Sequence, residues 1–172
     1  MLRGVNVGGV RVAMADLTSI GEAAGFSSVS THLNSGNLLF TAATGKPADH
    51  ARTISKGIEA AIGRPIPVII RTPAELARAL RSARKLFATA DEARVAIAFL
   101  DRSAGVGAPD RLGVWDVEEY LISGAEVYLH YPNGQADTKL LLPVIEKRLS
   151  VTGTARGLKT VAGLIAKSGK FG

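Results

Sequence analysis

The chain has 172 residues, 47% of them hydrophobic and 21% charged, with a formal net charge of +6. That is enough apolar material for one medium domain or two small, closely packed halves, and it excludes a disordered chain. The absence of cysteine excludes disulfides, thiolate metal sites and a cysteine nucleophile, and no apolar run reaches the ~20 residues of a membrane-spanning helix.

The first half alternates clearly. Leu2 to Val7 reads as a strand ended by Gly8-Gly9. Met14, Leu17, Ile20, Gly21 and Ala24 keep helical spacing, and Gly25 suits the position just past a helix end. Val29 to Leu33 and Leu38 to Thr41 read as two strands around a turn at Asn34-Ser35-Gly36-Asn37. Ala51, Ile54, Ile58 and Ile62 form a helical stripe that stops at Gly63, and Ile66 to Arg71 is a run rich in β-branched residues. Thr72-Pro73-Ala74-Glu75 supplies a cap, a proline at the first helical position and an acid two residues on, which predicts a helix start. That helix turns Leu76, Ala79, Leu80 and Ala83 inward and Arg78, Arg81 and Lys85 outward.

The second half repeats the pattern more weakly. Val95 to Leu100 is a buried-type strand, and Ser103 to Gly113, rich in glycine and proline, predicts a loop where the first half has a helix. Glu119 to Ile122 and Glu126 to Tyr131 predict a second hairpin, followed by a helix from about Thr138 to Leu149 and a last stripe of Leu158, Val161, Leu164 and Ile165. Leu33-Asn34-Ser35-Gly36 aligns with Leu121-Ile122-Ser123-Gly124 at an offset of 88 residues. The same offset carries the helix at Pro47 to Ile62 onto Gln135 to Ser150, and Pro73 onto Val161. The expected class is α+β: two tandem ferredoxin-like (βαββαβ) halves, residues 1–88 and 89–172, each with a trailing helix, the second degenerate, meeting near residues 86 to 93.

Leu2-Arg3-Gly4-Val5-Asn6-Val7-Gly8-Gly9, then Met14 with Leu17, Gly25-Phe26, Ser35-Gly36-Asn37 and Phe40 closely resemble the bacterial domain-of-unknown-function 1697 family. Phe99-Leu100 and Thr154-Ala155-Arg156, followed by Thr160-Val161 and Leu164, fit it as well. The resemblance implies an α+β fold of two related subdomains and supplies no catalytic residue and no substrate. Gly157-Leu158 stands where the family's closing motif usually has Asn-Trp. The family also usually carries apolar residues before the Leu-Arg-Gly motif, so a natural start upstream of Met1, or loss of part of the first strand, is expected.

Three functions are expected to compete. The first is a binding module, or an enzyme, for a small anionic ligand. Asn6, Gly8 and Gly9 would approach Asn34, Ser35, Gly36 and Asn37, the right-handed crossovers of a βαββαβ unit bringing them to one edge, with Arg3 the nearest counter-charge. Thr154, Arg156 and Thr160 form a second candidate of the same kind. These glycines fit neither the dinucleotide fingerprint nor the P-loop, and Asn6 serves equally well to tie the loop to the hairpin. The second function is nucleic-acid association through Arg78, Arg81, Arg84 and Lys85, helped by the basic C-terminal segment. The third is an interaction protein whose sheet edges or faces form a homodimer. His32, His50 and His130 lack metal-ligand spacing, so neither a metal nor a cofactor is expected. No secretory leader pattern opens the chain, so a cytoplasmic location is expected.

Overall fold

Most element ends follow from single residues. In the computed structural model, which describes residues 1–6, 10–136 and 138–169, the chain forms two compact units, Met1–Thr72 with Leu164–Gly172, and Pro73–Gly163. The fold is α+β, with two antiparallel sheets among the described residues.

In the first unit, α1 (Met14–Ala23) buries Leu17 and Gly21. β1 (Ser27–Thr31) and β2 (Leu38–Thr41) pair antiparallel. α2 (Pro47–Ile62) starts at a proline that needs no hydrogen-bond partner and ends at Gly63, whose left-handed φ of 76° closes the last turn onto Glu59. Leu2, Val5, Leu17, Ile54 and Ile58 form the centre of this unit's core. The strands expected at Leu2 to Val7 and Ile66 to Arg71 are reduced to one antiparallel bridge, Leu2 to Val68. Gly4 and Asn6, at φ 63° and 57°, turn the chain out of the extended region just after Arg3. On the other side Pro65 and Pro67 each remove a backbone donor. Val7 lies outside the described residues.

In the second unit, α3 (Pro73–Leu86) buries Leu76, Ala79, Leu80 and Ala83, the face its spacing predicts. A 3-10 turn (Glu92–Arg94), capped by the Asp91 carboxylate, leads into β3 (Val95–Leu100), buried at every position. β4 (Glu119–Ser123), β5 (Glu126–His130) and β6 (Gly153–Gly157) complete a sheet of order β4-β5-β3-β6 in which every neighbouring pair is antiparallel. Ala96, Ala98 and Leu100 turn one face of β3 onto a core that includes Leu112, Leu129, Leu140 and Ile145.

As expected, Ser103 to Gly113 lacks a long helix. It holds only α4 (Ala108–Leu112), five residues between left-handed Gly107 and positive-φ Gly113. α5 spans Leu142–Leu149, shorter than the helix expected from Thr138, because Pro143 is tolerated only in a first turn. β6 carries no strand-like alternation in its Gly-Thr-Ala-Arg-Gly sequence and is held by pairing with β3 from Ala96–Gly157 to Leu100–Gly153. α6 (Leu158–Ser168) follows directly. No helix among the described residues is long and apolar enough to cross a membrane.

Candidate functional site

The first hairpin and the N-terminal segment meet at a junction built by two asparagines and one glycine. Between β1 and β2, the His32 N–H donates to the Asn37 carbonyl at 2.9 Å and closes the loop. The Asn37 side chain is fully buried, and its Nδ2 donates to the His32 carbonyl at 2.8 Å and to Ser35 Oγ at 2.9 Å. Gly36 stands at φ 73°, and a Cβ built there would lie 2.2 Å from Val5 Cγ2 and 3.0 Å from Leu2 Cβ. Only glycine admits both the backbone angle and the approach of the N-terminal segment. The Leu2 N–H uses that approach, donating to the Gly36 carbonyl at 2.8 Å.

Asn6 clamps the other side. Its Nδ2 donates to the Asn34 carbonyl at 2.6 Å and to the Val12 carbonyl at 3.2 Å, while its Oδ1 accepts the Val12 N–H at 3.1 Å. Its own N–H donates to the Val10 carbonyl at 2.6 Å. Asn6 and Asn34 therefore do meet, as the sequence predicts, and the amides of Asn6 and Asn37 are engaged within the chain. Arg3 is half-buried, with its N–H bound to the Pro67 carbonyl at 3.0 Å. Gly8 and Gly9 lie outside the described residues. Four non-glycine residues among those described have positive φ, and two of them, Asn6 and Leu33, flank this junction.

The second sequence candidate is a buried polar pair on β6. Arg156 Nη1 donates to Thr154 Oγ1 at 2.6 Å and to the Ala155 carbonyl at 2.8 Å. Burial pushes the guanidinium down to about 10. Thr160 sits in the first turn of α6, half-buried.

On α3, Arg78, Arg81, Arg84 and Lys85 are all exposed. Arg84 is held by Glu92 in a two-pronged pair at 2.7 and 3.3 Å. Arg78, Arg81 and Lys85 have no carboxylate within ion-pair distance among the described residues. Positions 78, 81 and 85 follow a helical i, i+3, i+7 spacing, so these three cations form one ridge about 10 Å long.

A small cavity in the second unit, about 90 Å³, was not foreseen. Glu118, Thr138, Tyr131 and Asn133 supply its polar lining. The Thr138 hydroxyl donates to Glu118 Oε1 and holds that carboxyl below its usual range. Burial, with the Glu118 charge adding to it, pushes the Tyr131 phenol up to about 12. The phenol hydroxyl donates to the Leu140 carbonyl at 3.2 Å. The turn-forming Tyr131-Pro132-Asn133-Gly134 was the available sequence signal, but its link to Glu118 spans a whole hairpin and carries no local pattern.

The family described as "Protein of unknown function (DUF1697)" matches residues 1–128. The chain belongs to this family. No curated protein and no solved structure matches the chain. The DUF1697 match takes in the asparagine junction and α3, and it ends within β5, before Thr154, Arg156 and Thr160. Beyond the matched region, Gly157 leaves room for a side chain and Leu158 is 1% exposed.

Proposed function

We propose that this DUF1697 chain is a non-membrane binding module for a phosphate-bearing polymer, with the α3 ridge as its contact surface. The observation that carries the reading is the line of three exposed cations, Arg78, Arg81 and Lys85, none paired with a carboxylate among the described residues, in a chain of net charge +6. Such a ridge neutralises backbone phosphates and releases their counterions, giving affinity with little base preference. The test is fluorescence-anisotropy titration of single-stranded oligonucleotides at several salt concentrations. The parent chain should bind with a steep salt dependence. Replacing Arg78, Arg81 and Lys85 together by alanine should flatten the log–log slope by about 2, at roughly 0.7 per lost phosphate contact. Unchanged binding in the triple variant, or no binding by the parent, refutes the reading.

A second reading is favoured by the positive φ of Asn6 and Leu33 around the junction. Backbone held away from its preferred region often accompanies a ligand site. Here Asn6 would serve as a strut just before Gly8 and Gly9 in the chain. Arg3, Asn34 and Ser35 would flank a small anion bound there, with Gly36 and Asn37 holding the hairpin's shape. Thermal-shift titration with phosphate and nucleotides separates the two readings. A shift abolished by Gly8→Val and kept in the triple α3 variant would favour the junction.

The architecture we infer behind either reading is a tandem of two βαββαβ halves, residues 1–88 and 89–172. Support comes from a shared neighbourhood. β3 lies between β5 and β6. Leu2 likewise lies between Gly36, at the entry to β2, and Val68. Gly36 and Gly124, 88 residues apart, both take positive φ in the hairpin turns.

A further inference from the structure

We propose that β4 pairs antiparallel with β4 of a second copy of this chain, joining the two four-stranded sheets into one continuous sheet. Among the described residues, β4 is an outer strand of its sheet, flanked only by β5. Ser123 and Glu126 close a two-residue turn, Gly124-Ala125, with Gly124 at φ 61° in the place a tight hairpin reserves for glycine. In such a hairpin the closing pair exchanges both backbone hydrogen bonds, and bonding alternates along the strand. Glu119, Leu121 and Ser123 therefore direct N–H and C=O groups toward β5. Tyr120 and Ile122 direct theirs away from the sheet, and no described residue meets them.

The occupant follows from self-complementarity. A two-fold axis through Leu121 sets Tyr120 opposite Ile122 of the copy and Ile122 opposite its Tyr120. Those pairs use all four outward N–H and C=O groups in four hydrogen bonds. The same register sets Leu121, 41% exposed, against its own counterpart. It also sets the Glu119 carboxylate against the Ser123 hydroxyl, a donor, so no like charges face each other. Lysine, proline and bulges, three of the guards of an open edge, are missing from the strand, and its one charge, Glu119, lies at its end. An unrelated extended peptide would share the backbone bonds but not this matched set of side chains.

The test uses the full chain. Amide exchange should slow at Tyr120 and Ile122 as protein concentration rises, while Glu119, Leu121 and Ser123, already bonded to β5, stay unchanged. In native mass spectrometry the parent chain should be a dimer, and Leu121→Lys and Leu121→Glu should each be monomers. An equimolar mixture of the two variants should restore a heterodimer, which misfolded chains would not. A parent chain monomeric at every concentration, concentration-independent exchange at Tyr120 and Ile122, or dimers that survive in both single variants would each overturn the proposal.

Discussion

Gly36→Ala is expected to be far more damaging than an alanine at a hairpin glycine usually is. Two costs add. At φ 73° any L-residue is strained, by about 1–2 kcal/mol. A Cβ 2.2 Å from Val5 Cγ2 and 3.0 Å from Leu2 Cβ must also displace two side chains buried to 1% and 0% exposure. Overpacking of that kind costs about 1–3 kcal/mol. The total is about 2–5 kcal/mol, or a Tm drop of roughly 4–20 °C in a chain of this size. Gly124→Ala is the matched control: φ is 61° and nothing lies within 4 Å of its Cβ, so only the backbone cost applies. Trp115 belongs to the second unit, so its fluorescence does not report on this junction. Hydrogen exchange at Leu2 and His32, whose N–H groups bond to Gly36 and Asn37, does. Protection at these amides should fall by about one to two orders of magnitude more in Gly36→Ala than the Gly124→Ala variant loses at its own hairpin. Equal losses in the two variants would refute the close-approach argument.

Asn37→Ala should cost about 1–3 kcal/mol, because it removes the two hydrogen bonds that this fully buried amide donates to the His32 carbonyl and the Ser35 hydroxyl. Urea unfolding checks this, and Asn6→Ala, at an exposed residue, should cost less. Tyr131→Phe should cost about 1 kcal/mol at neutral pH through loss of the bond to Leu140, yet gain on the parent chain in alkali. The Tyr131 phenol is raised to about 12 in the folded chain, so from about pH 10 upward the unfolded chain releases its proton first and the parent loses stability as pH rises. Near pH 11 that loss is about 1–2 kcal/mol, and it should be absent in Tyr131→Phe. Parallel pH dependences of the two proteins from 9 to 11 would contradict it.

The sequence by itself determined what rests on neighbouring residues. The faces of α3, the buried run of β3, both hairpins and the lack of a long helix among Gly105, Gly107, Pro109 and Gly113 all follow from local spacing and turn chemistry. So does the start of α2 at Pro47 and its end at Gly63. The family motif at Leu2 to Gly9 is legible for the same reason, being contiguous. Tertiary structure alone decided the rest. Leu2 to Val7 has strand composition, but positive φ at Gly4 and Asn6 and two prolines opposite leave one bridge among its described residues. Gly-Thr-Ala-Arg-Gly has no strand composition, yet pairing with β3 makes it one. The sequence brings Asn6 to Asn34, but the bonds of the Asn6 amide to Val12, 6 residues away, and the neighbours of a Cβ at Gly36, more than 30 residues back, were unreadable. A side-chain amide bonds whichever backbone group the fold brings within 3 Å, and chain separation does not encode that distance.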